Sequence, residues 1–278
     1  FRYGNYRIDE NTLCIFVSQS GETADTLAAL KLSKENKAQT LSVTNVLGSS
    51  LARLSDYVLY TCAGPEIAVA STKAYTTQLV LLACLCLKLA SLFNKDVACK
   101  NHMINQLKQM PDVVEQMLAQ EEKMAEFAKL LTNQKDAYFI GRQLDYLSVL
   151  EGALKLKEVS YVHADAYMAG ELKHGPLALV DNDMPVVILA PQDDMLDKLK
   201  SNMEEVQARG GELFIFADEQ SGITEKDRQH VVNIPSVNTW LAPIVYSVPV
   251  QLLSYHVAVL RGTDVDQPRN LAKSVTVE

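Results

Sequence analysis

Residues 12–23 read TLCIFVSQSGET, and this stretch decides the fold. Its first half is a short apolar, β-branched run that is typical of a buried strand. Its second half is a polar turn around Gly21, and the leucines that follow it predict a helix ending near Asn36. The order of strand, polar turn and helix predicts a parallel α/β sheet that is covered by helices on both faces.

The same alternation continues along the chain. Predicted strands at Thr40–Thr44 and Tyr57–Thr61 are followed by a long apolar helix over about residues 72–92. A Gln- and Met-rich helical stretch with Pro111 as its only breaker then leads to a second series. That series has predicted strands at 137–140, 185–189 and 213–216 and predicted helices at 146–161 and 194–207.

The second series repeats the first at a fixed spacing. Strand Cys14–Val17 matches Val186–Leu189, and Leu41–Val43 matches Leu213–Ile215, and the difference in sequence number is the same for both pairs (186 − 14 = 213 − 41). A shared offset over several elements predicts a duplicated α/β unit. The same subtraction places the counterpart of the strand at Ala137 before residue 1. We therefore expect the first unit to be incomplete, without its opening strand and helix.

The amino-acid composition excludes several classes of function. The 278 residues are 48% hydrophobic and 22% charged with a net charge of −8, which indicates a globular chain and argues against binding to nucleic acid or anionic membranes. The longest apolar run, Leu79–Leu87, is followed by Lys88, so no membrane span is expected. Five cysteines without a CxxC pair indicate reduced, buried thiols in a cytoplasmic protein.

The turn after the first strand is the candidate phosphate site. Residues 18–23 (SQSGET) place three hydroxyls and an amide at a predicted helix start, where they can bind phosphate oxygens. The equivalent turn of the second unit, 190–194 (APQDD), has no hydroxyl and carries two carboxylates that repel an anion. The alternative is that residues 18–23 only cap the helix. Because the turn has neither GxGxxG nor a Walker pattern, a small phosphorylated molecule is favoured over a nucleotide.

Three other polar features stand out. Residues 70–73 (ASTK) either add a hydroxyl to the site or cap the long helix. Glu151, Lys155 and Glu158 share one helix face, either as a solvated salt-bridge face or as proton-transfer machinery. The loop 170–176 (GELKHGP) carries His174, and carboxylate, lysine and histidine together suit proton movement beside a sugar carbonyl. The other four histidines have no such setting and are read as structural or surface residues.

Four motifs carry a family resemblance. They are SQSGETADTL (18–27), VASTKAYTTQ (69–78), EGALKLKEVSYVHADAYMAGELKHGPLAL (151–179) and DQPRNLAKSVTVE (266–278). With these, the whole chain resembles the isomerase half of the glutamine–fructose-6-phosphate aminotransferase family, which consists of two sugar isomerase (SIS) domains. The resemblance implies two parallel-sheet α/β sandwich domains, the first of them incomplete.

The resemblance also implies roles for individual residues. The phosphate of fructose 6-phosphate would be held by Ser18, Gln19, Ser20 and Thr23, and the sugar would be contacted by Val69, Ser71 and Ala272. Four catalytic roles are implied: ring opening by His174, proton transfer between C1 and C2 by Glu158, stabilisation of developing negative charge by Lys155, and engagement of the C2 carbonyl by Lys273. No metal or other cofactor is implied.

The same resemblance implies a division of the chain and a set of partners. The first SIS domain would span 1–100, a connecting helical segment 101–134, the second SIS domain 135–262, and a tail that closes over the sugar 263–278. A homodimer that shares the histidine loop is implied, together with an ammonia-producing glutaminase domain that this sequence does not contain. Two alternatives stay open: a non-catalytic SIS module that binds sugar phosphates, and a standalone SIS isomerase or deaminase.

Overall fold

The computed structural model describes residues 1, 4–93 and 100–276, which fold as two compact units. Unit 1 comprises Phe1–Asn94 and Arg269–Glu278, and unit 2 comprises Lys95–Pro268. Residues 101–134, expected to connect two domains, belong to unit 2, because Phe127 packs edge-on against Phe214 with ring centroids 5.4 Å apart. The expected tail divides at residue 268, and only its last part belongs to unit 1.

Unit 1 is a three-stranded parallel sheet with three helices. Its elements are β1 (Leu13–Ser18), α1 (Ala24–Glu35), β2 (Gln39–Thr44), α2 (Ser50–Leu54), β3 (Tyr57–Tyr60) and α3 (Lys73–Leu92). The strand order is β1-β2-β3. Every strand and long helix of this unit was predicted, whereas the short helix α2 was not.

Unit 2 is a five-stranded parallel sheet with its own helices. Its elements are α4 (Lys100–Leu118), α5 (Glu121–Leu131), β4 (Asp136–Gly141), α6 (Asp145–Ser160), β5 (His163–Met168), β6 (Pro185–Ala190), α7 (Leu196–Gln207), β7 (Glu212–Asp218), β8 (Gln229–Ile234) and α8 (Ala242–Arg261). The strand order is β5-β4-β6-β7-β8. Strand β4 lies between β5 and β6. The chain runs from β4 to β5 on one side and then crosses to β6 on the other side. In such sheets, ligands bind at the carboxyl ends of the strands where the order reverses.

The duplication is confirmed by the element bounds. The offset from the start of β1 to the start of β6 equals the offset from the start of α1 to the start of α7 (185 − 13 = 196 − 24), and it is the offset found in the sequence. The two units differ in how their sheets continue. β6 pairs with strands on both sides, whereas β1 pairs with β2 alone among the described strands, and its Leu13, Ile15 and Val17 are 41–45% exposed.

Two expectations from composition need correction. Helices α3 and α8 are long and apolar enough to cross a membrane, although no such run was expected. This is weak evidence, since the core helix of a soluble protein has the same length and hydropathy, and 61% of the apolar window of α8 is buried against 6% of that of α3. The thiols are not buried as expected: Cys62, Cys84 and Cys86 are exposed and Cys14 is half-buried, while Cys99 lies outside the described residues.

Candidate active site

The turn between β1 and α1 holds its polar groups close together. Ser18 Oγ accepts a hydrogen bond from the Gly21 N–H at 3.0 Å and lies 3.5 Å from Thr23 Oγ1. Ser20 Oγ accepts from the Glu22 N–H at 3.2 Å. Thr23 is the N-cap residue of α1, but its side chain makes no capping hydrogen bond. The hydroxyls therefore order the turn itself, at a helix end whose backbone N–H groups attract anions.

Gly21 cannot be replaced without disturbing this turn. Its φ of +66° lies in the left-handed region, and a Cβ there would come within 2.2 Å of Ser49 Oγ and 3.0 Å of Thr44 Oγ1. The carbonyl of Gln19 accepts a hydrogen bond from the Asn45 N–H at 3.1 Å. The turn thus packs against the residues that follow β2, and this close approach is possible because Gly21 has no side chain.

The loop before α3 contains an important residue that sequence reasoning missed. Glu66 Oε1 accepts hydrogen bonds from the backbone N–H groups of Thr72 at 2.8 Å and Ala74 at 3.3 Å, so Glu66 caps α3. Thr72 occupies the N-cap position but makes no side-chain capping bond, so the expectation that residues 70–73 supply the cap is wrong. The missed signal was a glutamate a few residues before a helix start.

Glu66 also binds the end of the chain. Lys273 Nζ donates to Glu66 Oε2 at 3.0 Å and to the carbonyl of Ala68 at 2.7 Å, and it lies 3.4 Å from Ser71 Oγ. Burial alone would raise the pKa of Glu66, but hydrogen bonds from the Thr72 N–H and the Lys273 ammonium hold that pKa below its usual value. A charged carboxylate therefore fixes the lysine beside Ser71.

The tail also contacts the candidate phosphate turn. Ser274 Oγ lies 3.1 Å from Ser20 Oγ, and the carbonyl of Val275 accepts from the Ala24 N–H at 3.1 Å. Unit 1 therefore brings Ser20 and Lys273 into one region, as Lys273 is next to Ser274 in the chain. Val69 is half-buried in the loop before α3, and Ala272 is exposed.

Helix α6 carries a largely buried group of charges. Lys155 Nζ lies 2.5 Å from Glu158 Oε2 and 3.8 Å from Glu151 Oε1. The three side chains are 6%, 23% and 9% exposed respectively. A solvated salt-bridge face is therefore the wrong description. Because burying charges is costly unless they are paired, this arrangement marks a site candidate.

His174 ends a short 3₁₀ turn, Ala169–His174, and is followed by Gly175 with a φ of +140°. Its side chain is 75% exposed, and Nε2 lies 4.0 Å from Glu171 Oε2. No hydrogen bond joins it to Lys155 or Glu158 among the described residues of unit 2. The structure therefore places Lys155 and Glu158 together and leaves His174 at the surface.

The second unit's equivalent of the phosphate turn is acidic, as expected. Asp193 Oδ1 accepts the Met195 N–H at 2.8 Å. Asp145, at the start of α6, is 2% exposed, and its burial together with the charge of Asp193 raises its pKa to about 7. The hydroxyl of Tyr246 is buried without a hydrogen-bond partner among the described residues. A phosphate would face carboxylates here instead of hydroxyls.

The remaining histidines were expected to be structural or surface residues, and those on β5 and β8 are paired with carboxylates. His163 pairs with Asp136 at 2.9 Å, and His230 with Glu212 at 2.8 Å. Within the described parts of the chain, no group of three or more His, Cys, Asp or Glu side chains is placed to hold a metal ion.

The family follows from a direct match. The sequence model of the SIS domain matches residues 1–88 and 130–261, so the chain belongs to the SIS domain family. Its similarity to the glutamine–fructose-6-phosphate aminotransferases [isomerizing] extends over its full length, at 62% identity for Acinetobacter baylyi and 54% for Escherichia coli. The chain spans 47% and 46% of the length of these two relatives, or about half.

Solved structures agree with this placement. The C-terminal domain of glucosamine-fructose-6-phosphate aminotransferase from Francisella tularensis is similar at 45% identity and a TM-score of 0.92, over 96% of this chain and 76% of that one. Glucosamine-6-phosphate deaminase from Thermotoga maritima is similar at 25% identity and a TM-score of 0.79, over 98% and 77%. The predicted family and fold class are thereby confirmed.

Proposed function

We propose that this chain is the isomerising part of an enzyme that converts fructose 6-phosphate to glucosamine 6-phosphate with glutamine-derived ammonia. The observation that carries the proposal is the contact between the buried Lys155 and the partly exposed Glu158, 2.5 Å apart, in a SIS chain with full-length similarity to that aminotransferase. A module that only binds sugar phosphates needs the serine turn, but it has no use for a costly buried lysine paired with a carboxylate.

The turn after β1, the loop before α3 and the tail bind the substrate in this proposal. Ser18, Gln19, Ser20 and Thr23 hold the phosphate with neutral donors, which explains how a chain of net charge −8 accepts an anion. Val69, Ser71 and Ala272 contact the sugar, and Lys273 engages the C2 carbonyl as the tail closes. The hydrogen bonds of Lys273 and Ser274 to residues of unit 1 support this role for the tail.

Three further residues carry out the proton transfers in this proposal. His174 opens the furanose ring, and Glu158 moves one proton between C1 and C2 of the open-chain sugar or its imine. Lys155 faces the negative charge that develops on the sugar oxygen. Its ammonium lies 2.5 Å from Glu158, the group that accepts the proton in this proposal.

The proposal extends to partners. A homodimer supplies the histidine loop from the neighbouring subunit, and a glutaminase domain supplies ammonia. The 75% exposure of His174 supports the first point, since an exposed histidine can reach a second copy. A cytoplasmic location fits free sugar-phosphate substrates.

The competing function is a standalone isomerase or deaminase, which the similarity to the Thermotoga deaminase favours. Incubation of the chain with fructose 6-phosphate, with and without ammonium, and separately with glucosamine 6-phosphate, distinguishes the two. We expect glucose 6-phosphate without ammonium and glucosamine 6-phosphate with it. Ammonia release from glucosamine 6-phosphate as the faster reaction would favour the deaminase, and no turnover of either sugar would contradict the enzyme proposal.

A further inference from the structure

The side chain of His174 depends on its loop for its position. Its imidazole is 75% exposed, and Nε2 lies 4.0 Å from Glu171 Oε2, which is too far for a hydrogen bond. The imidazole therefore follows the backbone of the 3₁₀ turn Ala169–His174. Leu172 is fully buried and fixes the middle of this turn to the core of unit 2. The end of the turn next to His174 is held through Lys173.

Helix α7 provides the partner of Lys173. Lys173 Nζ lies 2.8 Å from Glu205 Oε1, and the two side chains are 57% and 27% exposed. Hydrogen bonds from Lys173 and from the amide of Asn202 hold the pKa of Glu205 below its usual value, so Glu205 is a carboxylate at neutral pH. An isolated ion pair at the surface contributes little. This pair can fix the loop only if Glu205 is itself held in place.

A buried amide holds Glu205 in place. Asn202 is 3% exposed, its Oδ1 accepts a hydrogen bond from Arg142 Nη2 at 2.6 Å, and its Nδ2 donates to Glu205 Oε2 at 3.4 Å. Because a guanidinium only donates, Oδ1 must face Arg142, which leaves the NH₂ group for Glu205. Arg142 also lies against the start of the same turn, where a Cβ on Gly170 would be 3.5 Å from its Nη2. These contacts therefore reach the turn on both sides of its buried middle.

We propose that Glu205 is a positioning residue for His174, oriented by Asn202 and acting through Lys173. One of its carboxylate oxygens binds the ammonium of Lys173 and the other binds the amide of Asn202, so the end of the loop is fixed to α7. The inference rests on the proposed function for its catalytic consequence, because it assumes that His174 acts on the sugar. Glu205 itself contacts neither the sugar nor the reacting atoms.

The test replaces Glu205 with methionine, which has a similar length but cannot accept the bond from Lys173. In Glu205→Met we expect kcat for isomerisation of fructose 6-phosphate to fall about three- to tenfold, because the imidazole of His174 spends less time in the productive position. KM should be unchanged, because the phosphate and sugar contacts are intact. The control is Glu204→Met, its exposed neighbour on α7. Equal kcat values in the two variants would overturn the proposal.

A double variant distinguishes loss of the ion pair from a general loosening of α7. Lys173→Met should lower kcat by the same factor as Glu205→Met, and the double variant should be no slower than either single variant, because all three lack the same contact. Lys173 lies on the exposed side of the pair, so Lys173→Met also provides the test if Glu205→Met fails to fold. Losses that multiply in the double variant would contradict an effect through the pair.

A measurement without turnover keeps this inference separate from the proposed function. Amide hydrogen exchange of residues 169–174, followed by mass spectrometry, should become about threefold faster in Glu205→Met and Lys173→Met and stay unchanged in Glu204→Met. A chain that isomerises nothing but shows this faster exchange contradicts only the proposed function. In an active chain, unchanged exchange in Glu205→Met, or faster exchange with unchanged kcat, contradicts only the role of Glu205. An inactive chain with unchanged exchange contradicts both.

Discussion

Lys273, close to the end of the sequence, donates a hydrogen bond to Glu66, 207 residues earlier in the chain. The same carboxylate receives the first backbone N–H groups of α3. Glu66 therefore both caps α3 and holds the tail lysine in position. Its side chain is 4% exposed, so the link is shielded from water.

Replacement of Glu66 by alanine tests this link. Glu66→Ala leaves the N–H groups of Thr72 and Ala74 without their acceptor and removes the charged partner of Lys273, so we expect unit 1 to lose about 2 kcal/mol of stability. Urea unfolding measures the change, and Glu35→Ala, at an exposed end of α1, is the control. Equal stability of the two variants would mean that the cap contributes nothing.

Replacement of Gly21 by alanine tests the phosphate turn, and the same replacement of Gly48 is its matched control. The two glycines have φ values of +66° and +68°, but a Cβ at Gly48 meets nothing within 4 Å, whereas at Gly21 it overlaps Ser49. Gly48→Ala should cost about 1 kcal/mol for the backbone alone, and Gly21→Ala about 2 to 4 kcal/mol. Only Gly21→Ala should weaken binding of inorganic phosphate, as measured by calorimetry. Similar losses of phosphate binding in both variants would contradict a phosphate site in this turn.

The raised pKa of Asp145 predicts that the stability of the fold depends on pH. Its pKa of about 7 in the folded chain stands above the ordinary 3.8, so between these values the folded state keeps a proton that the unfolded state has released. Stability therefore falls as pH rises through this window, by up to about 4 kcal/mol. In Asp145→Asn this part of the slope should vanish. The carboxylates with lowered pKa values change the stability at lower pH, and their contribution is the same in wild type and in Asp145→Asn. Parallel slopes of stability against pH for the two proteins would contradict the raised pKa of Asp145.

The proposed sharing of the histidine loop between two subunits predicts complementation between variants. His174→Gln and Glu158→Gln should each be inactive as isomerases. If the histidine comes from the neighbouring subunit, mixing them after dissociation gives hybrid dimers with one intact site, and activity should return to about a quarter of the wild-type value. The control mixes His174→Gln with wild type that has been treated in the same way. No recovery in hybrids, shown by mass spectrometry to have formed, would place the histidine in the same subunit as Glu158.

Most of the fold was predictable because the duplication supplies two separate indications of each element that both units contain. Strands β1 and β6 and helices α1 and α7 follow the common offset. Strands β5 and β8 were missed, since HADAYM and QHVVNI mix polar with apolar residues and resemble loops. The start of β8 nonetheless follows the start of β3 at the same offset (229 − 57 = 185 − 13), so the duplication could have found it.

The site was less predictable than the fold. The spacing of Glu151, Lys155 and Glu158 indicated a shared face, but spacing does not report burial, and the deeply buried lysine became visible only in the structure. Glu66 was missed because its partner Lys273 is remote in sequence. The tail has no periodic pattern, so only the family resemblance drew attention to it.

Proton transfer by Glu158 is the central claim, and isotope exchange tests it most directly. Fructose 6-phosphate is incubated with the chain in D₂O, and deuterium at C2 of the glucose 6-phosphate formed is followed by NMR. The control is Glu126→Gln, an exposed residue of α5. The account predicts that wild type and the control form glucose 6-phosphate with deuterium at C2 in those turnovers in which the proton on Glu158 exchanges with solvent, and that Glu158→Gln forms almost no product of either kind. Undiminished incorporation with Glu158→Gln would contradict it.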